Sequence, residues 1–443
     1  MRKTETMPPD DLDFGALISP DCDRVHTSLY SEDAVFTAEL ERIWKSTWLY
    51  VGHESEVAEP GDYITRLLAT QPVILTRDQD ESLHVLVNRC THRGNTVCHQ
   101  TKGNSNTFRC AYHGWSFAND GAVVGFTYSD EYGDALGKAD FGLKRLPRVE
   151  SYRGFVFASF NEDVVSLRDH LGPATEYLDH FVDLAPAGTV NLRAGNLASE
   201  FDANWKMPAE NAVDGYHAVF LHQAVIKIGR DRARKSGTSN ARLSSTSRKK
   251  QLRTRDLGNG HAMLDFSEAN RSTPIDSETE FGFFPRKLSA EDNAAYRRDL
   301  ADRLGADRAE LAISSGLSNL LIFPNLALVG PDVRVIVPLG PGKTRLLQFP
   351  ALLDGAPADM NEARIRNQSA AYGPAGMVGP DDIEIYCRNQ RAFYGPKQDW
   401  VVLARGATSE EINPDGSRVG VGTGETSQRA FWRKYRELMM GEA

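Results

Sequence analysis

Cysteine is scarce in this chain of 443 residues: Cys22, Cys90, Cys98, Cys110 and Cys387 are all there are. Five scattered cysteines exclude a disulfide framework, and in a reducing compartment a cysteine close to a histidine reads first as a metal ligand. Long apolar runs are missing as well. The most apolar stretch, residues 317–329, is interrupted by Ser318, Asn319, Pro324 and Asn325, and it falls short of the roughly 18 residues a membrane span requires. Residues 1–17 are polar and acidic, without an apolar core segment or a small-residue cleavage site. A cytoplasmic protein with no membrane partner is therefore expected. A basic excess is lacking too: the net charge is −9, opposite to the footprint of a nucleic-acid binder.

What is present suggests two domains, the natural expectation at this length. Residues 1–30 read as an irregular arm. Phe36, Leu40, Ile43, Trp44 and Trp48 then recur at three- and four-residue steps, which predicts an amphipathic helix. After Pro60-Gly61 the period falls to two, and residues 63–68, 73–76 and 83–87 predict strands, with a hairpin turn over 78–82. A small all-β domain over 51–165 follows, with 155–160 as a strand closing or leaving it. Residues 1–50 are expected to pack as arm and helix on a larger domain, 166–443. Within that domain 169–184 reads as a helical connector, 289–304 as a charged amphipathic helix, and 430–440 as a short helix. Residues 317–329, 333–339 and 344–350 predict an antiparallel sheet. The fold class is α+β: a small all-β domain before a larger helix-on-antiparallel-sheet domain. Residues 227–255 are strongly basic and lack aromatics. They read most simply as a solvated, partly mobile loop, with a dock for an acidic partner or anionic substrate as the alternative.

Two constellations carry chemistry. Cys90-Thr91-His92 is followed, after seventeen residues, by Cys110-Ala111-Tyr112-His113. Two loops that each offer a thiolate and an imidazole suit a [2Fe-2S] cluster, with both cysteines on one iron and both histidines on the other. Gly94 and Gly114 would let the backbone approach the cluster sulfides, and Trp115 and Phe117 would shield it. Structural zinc is the competing reading, but zinc sites usually pair their cysteines at short spacing. Cys98 and His99, between the loops, read as loop and core residues.

The second constellation is the stretch from Glu210 to His222, which holds His217 and His222 five residues apart. On a regular helix that spacing separates them by about 140° of azimuth, at roughly 100° per residue. A shared metal therefore requires the helix to break between Tyr216 and His222, a π-type distortion being one form. Asp214, three residues before His217, can reach the outer nitrogen of that ring and fix its tautomer. Two histidines and one carboxylate leave an iron with open positions for substrate and O2. A bare pair of histidines at this spacing also fits ordinary helix residues. For the carboxylate, Asp381, Asp382 and Glu384 follow Pro380. Acids after a proline at a helix start are favoured by the dipole in any case, so the residues alone leave the choice open.

Cys90-x-His92-Arg93-Gly94 with Cys110-x2-His113-Gly114-Trp115, followed by Glu210-Asn211-x2-Asp214-x-Tyr216-His217-x4-His222, resembles the large (α) subunits of Rieske non-haem iron aromatic-ring hydroxylating dioxygenases. The resemblance runs over roughly residues 30–395, and segments 318–325 and 376–384 look most like the benzoate, toluate and anthranilate 1,2-dioxygenase branch. It implies a terminal oxygenase that uses O2 and electrons relayed from NADH to dihydroxylate an aromatic ring, first among candidates an aromatic carboxylate (benzoate- or anthranilate-like, or an arylacetic acid). It implies a mononuclear Fe(II) on His217, His222 and Asp382, the second of the paired acids. It further implies Asp214 as the link from His217 to a Rieske histidine of a neighbouring subunit, His113, and Asn211 and Tyr216 as braces of the iron pocket. Leu221, Ile226 and Phe323 read as core or pocket wall. The implied partners are a small β subunit in an α3β3 assembly and a flavin and iron–sulfur reductase, with or without a ferredoxin. The chain itself has no evident dinucleotide or flavin fingerprint. A Rieske monooxygenase or demethylase, and a Rieske electron-transfer protein, share parts of the pattern. No lysine or arginine stands out in the sequence as the anchor of a substrate carboxylate.

Overall fold

The computed structural model describes residues 12–135, 141–236, 251–271, 288–395 and 399–441. They form two compact units: Trp44–Leu167, and the segments on either side of it taken together.

The Trp44–Leu167 unit is built from short antiparallel strands. Leu83–Val87, Gln71–Arg77, Asp62–Leu68 and Lys102–Asn104 lie side by side in that order. Strands Arg148–Tyr152, Phe155–Ser159 and Leu49–His53 form a second sheet, and Thr107–Arg109, Ser116–Ala118 and Val123–Gly125 a third. The period-two patterns explain the result. Val73, Ile74, Leu75, Val85 and Leu86 are buried, and Tyr63, Ile74, Leu86, Phe108, Trp115 and Phe117 form a core around Cys90 and Cys110. The turn over 78–82 closes with Asp78 N donating to Ser82 O at 2.8 Å.

The other unit is organised on a nine-stranded antiparallel sheet. Its order is Leu197–Phe201, Lys343–Pro350, Asp332–Gly340, Leu326–Val329, Asn319–Ile322, Ala262–Asp265, Arg253–Asp256, Arg418–Val421, Glu411–Ile412. The middle strands are apolar along nearly their whole length and buried, as expected of strands covered on both faces. Helix Lys206–Ala212 lies against Asn319–Ile322 and Leu326–Val329. Asn319 Nδ2 pins its end by donating to Ala212 O at 2.9 Å. Helix Thr426–Met440 starts four residues before the expected 430 and packs on this same unit, burying Phe431, Trp432 and Tyr435. Among the described residues no helix is long and apolar enough to cross a membrane.

Two expectations need correction. The apolar stripe from Phe36 to Trp48 is not one helix. An α-helix over Asp33–Glu39 passes into a π-turn over Leu40–Trp44, which breaks the three- and four-residue rhythm. Trp48 lies beyond it, directly before strand Leu49–His53, with its Nε1 donating to Val165 O at 2.8 Å. The basic run is also not a loop at its ends. Helix Gln223–Ser236 takes up its beginning, and Arg255 sits in a strand where its Nε donates to Asp265 at 2.8 Å. Residues 237–250 lie outside the described residues.

One polar cage ties the second unit together. The fully buried Glu39 carboxylate accepts from Trp205 Nε1 at 2.8 Å, from Lys206 Nζ at 2.5 Å and from the Tyr435 hydroxyl at 2.6 Å. One turn beyond Lys206, Glu210 Oε1 accepts from the Tyr30 hydroxyl at 2.7 Å and from Trp432 Nε1 at 2.8 Å. Burial raises the Glu210 carboxyl to about 7, against the pull of those two donors and of Lys206.

Lys206→Met leaves the Glu39 charge uncompensated, and it should cost about 3–5 kcal/mol of stability in urea melts. The double variant Glu39→Gln/Lys206→Met should recover part of that loss. Glu210 makes a pH prediction. Its folded-state value lies above the ordinary one, so its contribution to stability is full below the unfolded pKa and declines as the pH rises towards about 7. Glu210→Gln should therefore lose less unfolding free energy than the native protein between about pH 5 and about pH 7. Parallel curves for the two proteins would contradict this.

Candidate metal centres

The two Cys-His loops close in the same way. Gly94 N donates to Cys90 O at 2.9 Å, and Gly114 N to Cys110 O at 3.0 Å. Cys90 N donates to Asn95 O and Cys110 N to Trp115 O, both at 2.8 Å. Gly94 and Gly114 hold φ of +77° and +73°, a region glycine enters without steric cost. At Gly114 a Cβ would come within 2.5 Å of the Thr127 hydroxyl oxygen.

These turns bring the His92 and His113 rings to 4.6 Å between centroids, and Trp115 stacks on His92 at 4.8 Å with 11° between planes. Burial and the neighbouring His113 depress His92, which favours the neutral ring a ligand must be. Its Nδ1 is buried without a hydrogen-bond partner. Burial works to raise the Cys110 thiol, but the N–H groups of Tyr112 and His113 and the Asn95 amide, 3.5 Å from Sγ, outweigh it and hold the thiol below its ordinary value. Two sulfurs and two imidazoles on pinned loops fit a [2Fe-2S] cluster shared two and two. Cys98 is buried, with Sγ 3.7 Å from Gln100 O, in keeping with a core residue.

At the second constellation the helix breaks twice. Helix Lys206–Ala212 ends, residues 213–217 are not helical, and a single turn Ala218–Leu221 follows. His222 interrupts again, at φ −98° and ψ 30°, before helix Gln223–Ser236. The distortion is plain unwinding rather than a π-turn. Gly215 lies so close to Gly422 O that a Cβ there would collide with it.

The unwinding removes the azimuthal conflict. Ligand atoms of His217, His222 and Asp382 all lie within 4.8 Å of one another. His222 Nε2 is 3.1 Å, and His217 Nε2 3.7 Å, from Asp382 Oδ1. His222 Nε2 and Asp382 Oδ1 are both buried without a hydrogen-bond partner. With His217 Nε2 they form a close triangle of donor atoms, the arrangement that ligands to one metal take. Asp382 is in the first turn of helix Gly379–Phe393, which has Pro380 at its start. Of the other two acids, Asp381 stands 3.6 Å from His222 Nδ1, and Glu384 is exposed and bonded to Arg388 at 2.8 Å.

Asp214 Oδ2 lies 3.2 Å from His217 Nδ1, while its Oδ1 accepts from Tyr216 N at 2.6 Å. Burial disfavours a charged His217, but Asp214 and then Asp382 outweigh it and raise the ring's pKa. Tyr216 has its ring 3.8 Å from the Arg405 guanidinium, and Asn211 offers its backbone oxygen to Asp214 N at 3.1 Å. Phe323 is fully buried against Phe431, which makes it core. Sequence reasoning missed an apolar group formed by Val225, Ala371 and Val378 with Tyr372 and Met377. Val225 follows His222 by three residues and Val378 precedes Asp382 by four. Proximity in sequence to the ligands was the one available signal.

The family model of the Rieske [2Fe-2S] domain matches residues 47–151, and that of the ring hydroxylating alpha subunit (catalytic domain) matches residues 184–441. The chain is 31% identical over 401 residues to the 2-halobenzoate 1,2-dioxygenase large subunit of Burkholderia cepacia, covering 88% of this chain and 82% of that one. It is 31% identical over 400 residues to the anthranilate 1,2-dioxygenase large subunit of Acinetobacter baylyi, covering 86% and 80%. Its structure is similar to that of a naphthalene 1,2-dioxygenase mutant bound to phenanthrene, with a TM-score of 0.83 at 26% identity, over 98% of this chain and 95% of that one. With both parts matched in order and nearly end to end, the chain belongs to the ring hydroxylating alpha subunits, the large subunits of Rieske-type aromatic-ring dioxygenases.

Proposed function

We propose that this chain is the terminal oxygenase subunit that dihydroxylates the ring of an aromatic carboxylate, benzoate- or anthranilate-like, with O2 and electrons relayed from NADH. A separate cytoplasmic flavin and iron–sulfur reductase, with or without a ferredoxin, delivers the electrons, and a small β subunit completes an α3β3 assembly. The observation that carries this reading is the convergence of His217, His222 and Asp382 in a chain that also bears the two Cys-His loops. Two of its relatives are named for 2-halobenzoate and anthranilate, both aromatic carboxylates.

In this reading Cys90 and Cys110 hold one iron of the cluster, His92 and His113 the other, and His217, His222 and Asp382 hold the mononuclear iron. Once bound, these centres supply one-electron transfer and O2 activation. The chain's own residues bind and orient. Asp214 holds a proton at His217 Nδ1 and thereby turns the Nε2 lone pair inward. The Tyr216 N–H fixes Asp214 in turn. Asn211 and Tyr216 keep the unwound stretch in place. Val225, Tyr372 and Val378 exclude water next to the ligands.

Asp382→Ala should lower the iron content from roughly three to roughly two per chain and leave the cluster spectrum intact. Asp214→Ala should retain both centres and lose coupled turnover, and a native rate in that variant would refute the linking role. Single turnover of a panel of aromatic acids under labelled O2, read by product mass, tests the reaction itself. Two labelled oxygens in a cis-diol, or in the catechol formed after loss of a ring substituent, are expected. One labelled oxygen, or a dealkylated product, would make the enzyme a monooxygenase.

A further inference from the structure

We infer that Arg334 is the residue that receives the substrate's carboxylate, an inference that rests on the aromatic-acid reading above. Arg334 lies on the central strand Asp332–Gly340, and only 6% of it is exposed. Among the described residues it makes no ion pair, and its Nε and Nη2 are buried without hydrogen-bond partners. These two N–H groups lie along one edge of the guanidinium and form the parallel fork that takes both oxygens of a carboxylate. A buried cation that leaves two N–H groups unreceived is costly, even with Tyr372 as a neighbour. An anionic ligand removes that cost.

The surroundings connect this fork, through Tyr372, to the helix that bears Asp382. The guanidinium lies over the Tyr372 ring, 4.2 Å from its centroid. Tyr372 ends helix Ala358–Tyr372 and packs in the apolar group that contains Val225 and Val378. Its backbone abuts the start of the helix that bears Asp382, where a Cβ on Gly379 would be 3.1 Å from Tyr372 Cα. Tyr372 and Tyr386 each feel the charges of both Arg334 and Asp382.

The neighbours are suited to a ligand rather than to a closed ion pair. Asp332, two residues away on the same face, is buried, and burial pushes its carboxyl up to about 7 against the pull of Arg334 and Arg364. It therefore offers Arg334 only a partial counter-charge, and its Oδ1 lacks a partner. Gln348 stands directly across from Arg334 in the strand register, buried, with its amide oxygen also unpartnered. Three facing polar side chains thus have hydrogen-bonding capacity that the described residues do not use.

The test compares benzoate with its neutral isostere benzamide in calorimetric titrations of the purified, metal-loaded oxygenase. The native protein should bind benzoate at least ~10-fold more tightly than benzamide. Arg334→Met, similar in volume and without charge, should weaken benzoate at least ~30-fold and move benzamide by less than about 3-fold. Iron content and thermal midpoint establish that the variant is folded. A native enzyme indifferent to the charge overturns the inference without any variant, and so does a folded Arg334→Met that keeps the preference. Failure here and failure of the proposed function are separable. Ring dihydroxylation of benzoate by a folded Arg334→Met that keeps the native preference over benzamide would sink the role of Arg334 alone. A benzoate preference without ring oxygenation would sink the dioxygenase reading alone.

Discussion

The catalytic unit hangs on one buried charge pair, Glu39 with Lys206. Lys206 opens the short helix whose unwound end carries His217 and His222. Glu39 arrives from the amino-terminal helix, and the Tyr435 hydroxyl from the carboxy-terminal one. A buried pair of this kind adds little net stability compared with apolar packing, but leaving either charge alone is expensive. Its effect is therefore selective: arrangements that separate these three segments are penalised. Glu210 repeats the device one turn later with Tyr30 and Trp432. The helix is held at two levels before it is allowed to break.

That fixed point matters because the proposed iron ligands come from weak local structure. His217 and His222 lie in a twice-interrupted helix, and Asp382 in the first turn of another. The helix start points a favourable dipole at the buried Asp382 side chain. The nine-stranded sheet supplies rigidity behind the stretch that leads to His217 and His222, through the bond from Asn319 to Ala212 O.

Much of this was legible because it is local. The Cys-His loops and the Pro380-Asp381-Asp382 turn are short, and their geometry follows from a few residues and their glycines. Strand Leu83–Val87 falls where the alternation put it. The demand for a broken helix came from spacing alone, although the form of the break did not. Other features depend on contacts far along the chain. Nothing in the stripe from Phe36 to Trp48 announces a π-turn. The choice among Asp381, Asp382 and Glu384 depends on which face of a later helix meets His222. Arg334 looks like any charged residue in a strand until Tyr372, distant in sequence, is found beneath it.

The position of helix Thr426–Met440 bears on how the protein is made. The chain of Trp44–Leu167 is continuous and is synthesised early, so this unit can fold while the ribosome is still adding residues. The iron-site helix cannot complete its cage in the same way. Trp432 and Tyr435 emerge long after Leu167, and until they do Glu39 and Glu210 each lack a donor. The cluster domain is therefore ready for its metal while the unit around His217 and His222 is still open. The order in which the two iron centres can be assembled is written into the order of the chain.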